Sequence, residues 1–168
     1  RLGNGEVPFH EPGLDELLCQ NLAGGRLRFT TSMEVVADFG DVHFICVGTP
    51  QQAGSHAADM RYVEAVVDGL GSHLRPGALV VGKSTVPVGT AERLAARLEG
   101  LVPDGVEAEL AWNPEFLREG AAIEDFKHPD RIVVGTDDER GRKVLSDIYR
   151  PLYLNQAPIM FTGRRTAE

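Results

Sequence analysis

Three stretches, VHFICV from residue 42, ALVVG from 78 and RIVVG from 131, are almost unbroken apolar runs bounded by turn residues. They are too short for ordinary helices and rich in β-branched residues, which selects strands. No polar residue alternates through ALVVG, so both of its faces must be covered. That is the pattern of a parallel sheet between two layers of helices. LRFT near residue 27, EAELAW from 107 and PIMFT from 158 complete a set of six expected strands.

Amphipathic segments separate these runs, as an α/β chain requires. MRYVEAVVDGLGSHL places Tyr62, Val63, Val66, Val67 and Leu70 on one stripe. TAERLAARLEGL is a second helix with Thr90 as its candidate cap, and a third begins behind Pro12-Gly13, burying Leu14, Leu17, Leu18 and Leu22. RPG, VPDG and KHPD mark turns between units. Nothing divides the chain, so residues 1–168 are expected to form one domain.

Composition narrows the function. With 42% apolar and 25% charged residues the chain is an ordinary globule, and a formal charge of −8 argues against a nucleic-acid footprint. No apolar run is long enough to cross a membrane, so a cytoplasmic protein is expected. Cys19 and Cys46 sit among apolar neighbours without metal-ligand or redox spacing, and read as small buried side chains. The chain opens on Arg1 and stops at Glu168 without an evident structural boundary, which suggests a piece of a longer protein.

The unusual polar residues follow the strands. Gly48-Thr49-Pro50 comes after VHFICV, Lys83-Ser84-Thr85 after ALVVG, and Asn113-Pro114-Glu115 after EAELAW. Parallel sheets collect ligands at these carboxyl ends, where loops and helix N-termini converge. Asn113 reads as a helix N-cap and Pro114 as a first helical residue. In that case Glu115 and Glu119 share one helix face about one turn apart, where like charges repel. They are then either ordinary first-turn residues or working carboxylates.

PFHEPGLDELL, FICVGTP, KSTVPVGT and NPEFLREGAAIEDFKHPDRIVVG together resemble, in order and spacing, the nucleotide-sugar 6-dehydrogenases. The resemblance implies a Rossmann-like, doubly wound α/β domain. It implies NAD as cofactor and a nucleotide sugar as substrate, UDP-glucose foremost, with GDP-mannose or a UDP-N-acetylhexosamine as alternatives. The family oxidises the sugar C6 twice and traps the aldehyde on a thiol before hydrolysis. On that basis Thr85 positions water and cofactor, and Glu115 is the general acid/base. Val47, Gly48, Thr49, Pro50, Ser84, Thr85 and Glu119 contact the cofactor. Glu115, Phe116, Leu117, Arg118 and Glu119 contact the substrate. Neither membrane nor metal is implied, and the full-length enzyme is expected to be a homo-oligomer.

The family's Gly-rich dinucleotide turn and its ribose-binding acidic residue do not occur in these 168 residues, nor do its catalytic lysine and asparagine or its nucleophilic cysteine and aspartate. The domain is therefore expected to lack the first two strands of the family sheet, which would lie between LRFT and VHFICV. A reading of another class follows from the same gap: a non-catalytic α/β module that binds a partner through an exposed strand edge.

Overall fold

Ala78–Gly82 forms β2, whose five residues are all buried, and the molecule is layered around it. β1 (Val42–Ile45) and β3 (Ala108–Trp112) lie on either side, both parallel to it. β4 (Ile132–Gly135) and β5 (Ile159–Thr162) extend the sheet in chain order, parallel to each other. The computed structural model describes residues 1–153 and 157–168.

Alternate residues of β2 feed two cores, as the two-residue strand period demands. Val80, with Ile45, Leu110 and Trp112, packs under α3 (Arg61–Gly71) and α4 (Thr90–Glu99). Leu79 and Val81, with Ala111, Ile132 and Val134, meet Leu145 and Tyr149 of α6 (Glu139–Tyr153) on the other face. The unbroken apolar runs are thus explained by cover on both sides. α1 (Leu14–Ala23), α2 (Met33–Phe39), α5 (Ala122–Lys127) and the short α7 (Arg164–Ala167) are the other α-helices among the described residues.

The sheet is mostly parallel, with one reversal. β3 and β4 are antiparallel and share a single pairing, Trp112 with Gly135. β4 therefore runs down from above the end of β3, and residues that precede it stand at the same rim as residues that follow β3.

Five of the six expected strands form, and LRFT does not. Residues 27–30 have no sheet partner, and Phe29 is exposed. A strand exists only through the neighbour that accepts its hydrogen bonds, and among the described residues none lies beside this segment. Two helix expectations also change. Tyr62 leaves the buried stripe of α3, being 52% exposed, while Val63, Val67 and Leu70 carry its core face. Gly89, not Thr90, is the N-cap of α4; the Thr90 hydroxyl turns back to donate to the Pro87 carbonyl at 2.6 Å.

Two carboxylates from far along the chain satisfy helix starts that lack side-chain caps of their own. Glu168 accepts from the Gly89 and Ala91 amides at α4. Glu11, only 8% exposed, accepts from Gly120 at 2.9 Å and from Ile123 at 3.2 Å at α5. Each meets the orphan N–H groups and the positive end of the helix dipole.

Candidate active site

The ends of β1, β2 and β3 point the same way, so their following loops emerge along one edge. Hydrogen bonds then join them. The Thr49 hydroxyl donates to the Thr85 carbonyl at 2.8 Å, and the Ser84 hydroxyl to the Val47 carbonyl at 2.5 Å. The Trp112 indole N–H donates to the Ser84 carbonyl at 3.3 Å, and the Asn113 amide to Gly82 at 2.8 Å. Ser84 is buried with its hydroxyl spent on these ties, whereas Gly48, Pro50 and Thr85 are exposed. A side chain at Gly48 would meet no atom within 4 Å, so a ligand has open access to the backbone there.

Residues 113–118 form no helix, which overturns the expected face shared by Glu115 and Glu119. Asn113 is not an N-cap. It is 1% exposed, and its side-chain amide donates to the Val133 carbonyl of β4 at 2.8 Å. The Glu115 carboxylate folds back to accept from the Leu117 amide at 2.5 Å, closing a tight turn where the first helical turn was expected. Gly120 then takes φ +81°, a left-handed conformation that ends any helical continuation, and α5 starts only at Ala122. Glu115, Phe116, Leu117, Arg118 and Glu119 are all exposed.

Beside this turn lies a cleft of about 630 Å³, lined among others by Lys83, Asn113, Glu115, Phe116, Arg131 and Tyr149. The strand reversal brings its two sides together, because His128, Pro129 and Asp130, which lead into β4, line the same cleft as the Glu115 turn. The Arg131 guanidinium stacks over the Phe116 ring at 5.0 Å. At the floor, Lys83 Nζ donates to Asn113 Oδ1 at 3.2 Å and to the Tyr149 hydroxyl at 3.4 Å, and that hydroxyl donates to the same Asn113 oxygen. Burial lowers the Lys83 pKa, against the opposing pull of Cys46 and Glu115. Burial likewise pushes the Tyr149 phenol up to about 12, with Cys46 adding to the effect, so it stays a neutral donor near pH 7.

The Lys83–Asn113–Tyr149 cluster escaped the sequence reading. Its signals were a charged residue directly behind a fully apolar strand, and Leu145, Tyr149 and Leu152 at helical spacing. Both cysteines also differ from expectation, since Cys19 and Cys46 are exposed. Cys46 stands just past the end of an edge strand, and α1 fully buries only Leu18. Burial still raises the Cys46 thiol pKa, Lys83 lowers it and Glu115 raises it, so these three groups share one field.

Arg118 is held by Asp125, which accepts from its amide at 2.9 Å and from its guanidinium at 2.6 and 3.0 Å. These bonds, the side-chain ones foremost, hold the Asp125 carboxyl down to about 2 from its ordinary 3.8. Because the folded value lies below the unfolded one, the clasp's stabilisation is complete above 3.8 and is lost as pH falls toward about 2. Over that interval the protection of the Arg118 amide, its exchange rate measured against the intrinsic rate at each pH, should fall, and Asp125→Asn should remove the step. Equal protection at both ends of the interval would show that the clasp does not hold the turn.

Comparison with known proteins gives this geometry a context. The profile of the UDP-glucose/GDP-mannose dehydrogenase family, NAD binding domain, matches residues 1–153. The UDP-glucose 6-dehydrogenase of Rhizobium meliloti is 49% identical over 99% of this chain, and that of Pseudomonas aeruginosa 43% over 100%. The chain spans 38% of the length of each. A solved UDP-glucose dehydrogenase from Pyrobaculum islandicum superposes with TM-score 0.90 at 45% identity, over 99% of this chain and 38% of its own. A GDP-mannose dehydrogenase from Pseudomonas aeruginosa does so with TM-score 0.91 at 36% identity, with the same two coverages. Profile, sequence and fold agree, and the chain belongs to the UDP-glucose/GDP-mannose dehydrogenase family, within its NAD-binding domain.

Proposed function

We propose that residues 1–168 are part of the NAD-binding domain of a cytoplasmic, homo-oligomeric enzyme that oxidises UDP-glucose to UDP-glucuronate. The observation that carries this is the tying of three strand-end loops into one rim, with the Glu115 carboxylate beside a cleft large enough for part of a nucleotide sugar. NAD supplies the hydride acceptor. The residues here fit it: Gly48 leaves room for a flat ligand against the backbone, and Thr49 and Thr85 border that space.

Val47, Gly48, Thr49, Pro50 and Thr85 lie along the cofactor, and Ser84 serves it by fixing the Val47 carbonyl. Phe116, Leu117, Arg118 and Glu119 form the substrate wall, with Glu119 also reaching the cofactor. With that acceptor bound, C6 would be oxidised twice, to the aldehyde and then to the acyl level. A cysteine thiol outside these residues adds to the aldehyde after the first transfer, and water releases the acyl group as carboxylate after the second. Glu115 takes the proton from that water, with Thr85 helping to place it.

The test is a panel of nucleotide sugars given to the full-length protein with NAD⁺, following NADH. UDP-glucose should yield two NADH per sugar and the highest kcat/KM. Preference for GDP-mannose or a UDP-N-acetylhexosamine would keep the chemistry and replace the substrate. No NADH from any sugar would favour the non-catalytic module. The identities of 49% and 45% to UDP-glucose enzymes, against 36% to the GDP-mannose enzyme, favour UDP-glucose.

A further inference from the structure

We infer that Lys83 is a positioning residue for the Glu115 turn: with the Tyr149 hydroxyl it grips the side-chain oxygen of buried Asn113, and so fixes where β3 delivers residues 114–117 to the cleft. The inference rests on the reading of Glu115 as the base for acyl hydrolysis.

Asn113 is where four elements meet. Its amide nitrogen is held by β2 through Gly82, its Nδ2 by β4 through Val133, and its Oδ1 by Lys83 beyond β2 and by Tyr149 of α6. A buried side-chain amide bonded at both its nitrogen and its oxygen is a rigid anchor, and the bond from the ammonium is of the stronger, charge-assisted kind. Two residues further on stands Glu115, so a slip of Asn113 is passed directly to its carboxylate.

The lysine itself is an expensive choice for a purely structural role. It is partly buried, and among the described residues no carboxylate pairs with its ammonium; it lies over the Tyr149 ring at 5.9 Å instead. Such a cation weakens the fold relative to an apolar residue of the same length. Its position on the cleft floor beside the Glu115 turn gives it a purpose there.

Lys83→Met in the full-length enzyme tests this by rapid-mixing kinetics. The first two NADH per active site should form as a burst at near wild-type rate. Steady-state turnover should then fall about 10-fold, equivalent to losing one such hydrogen bond. Intact-protein mass should show the sugar acyl adduct accumulating. Lys83→Arg, which keeps charge and donors, should recover turnover to within about 3-fold of wild type. Tyr149→Phe deletes only the hydroxyl and should show the same adduct with a drop of about 3-fold, which keeps the test available if Lys83→Met misfolds.

Wild-type turnover in Lys83→Met would overturn the inference, as would burst and steady rate falling together without adduct, the sign of a merely structural or binding role. Glu115→Gln run alongside separates the two claims. Adduct in Glu115→Gln but none in Lys83→Met sinks only the positioning role, whereas no adduct in Glu115→Gln removes the base itself.

Discussion

Glu115→Gln in the full-length enzyme should lower steady-state turnover by about 10²–10⁴-fold, the usual worth of a positioned general base. Glutamine keeps the shape of the side chain and an oxygen to accept from the Leu117 amide, so the turn survives. What it loses is basicity toward water. On the reading proposed above the hydride transfers do not need that basicity, and two NADH per site should still appear before the enzyme stalls as its acyl form. Rapid mixing reads the burst, and mass spectrometry reads the adduct. Unchanged turnover would remove Glu115 from the chemistry, and the cleft would then have to work through some other group.

The second large effect is on stability. Trp112 is fully buried at the end of β3, its ring lies against Gly82 of β2, and its indole N–H holds the Ser84 carbonyl. Trp112→Ala removes the largest side chain of the core and leaves a cavity, at a cost of about 3–5 kcal/mol. Domains of this size have only about 5–15 kcal/mol in hand. The melting temperature should therefore drop by about 10 °C or more, read by circular dichroism. Gly82→Ala approaches the same ring from the other side: the new methyl would overlap the indole, and a cost of about 1–3 kcal/mol is expected. A Trp112→Ala protein melting within about 3 °C of wild type would mean that the ring is not what holds β2 and β3 together.

Strand positions were legible because their cause is written along the segment itself. ALVVG must be covered on both faces wherever it lies, and it is. LRFT carries the same local pattern, yet a strand also needs a neighbour, and neighbours are not visible in four residues. The strand-end rule brought residues 48–50, 84–85 and 113–115 to one rim for a topological reason that the order of elements contains. The helix drawn after Asn113 failed because capping signals are local, and here tertiary partners took them: Asn113 went to Val133, Lys83 and Tyr149. The Glu11 cap on α5 reaches across 109 residues, and the Lys83–Tyr149 contact across 66. No spacing rule encodes contacts at that range, so both had to be found in space.

The reversal between β3 and β4 has a mechanical side. It leaves the sheet as two plates, β1–β2–β3 and β4–β5, joined along a seam with one ladder pair, while two four-residue registers and one five-residue register stiffen the plates themselves. The cleft opens across that seam, one lip on each plate. Asn113 spans the joint like a rivet, bonded to both sides. Shear between the plates would widen or narrow the cleft while leaving each plate unbent, and the rivet is the part that such a movement would load first.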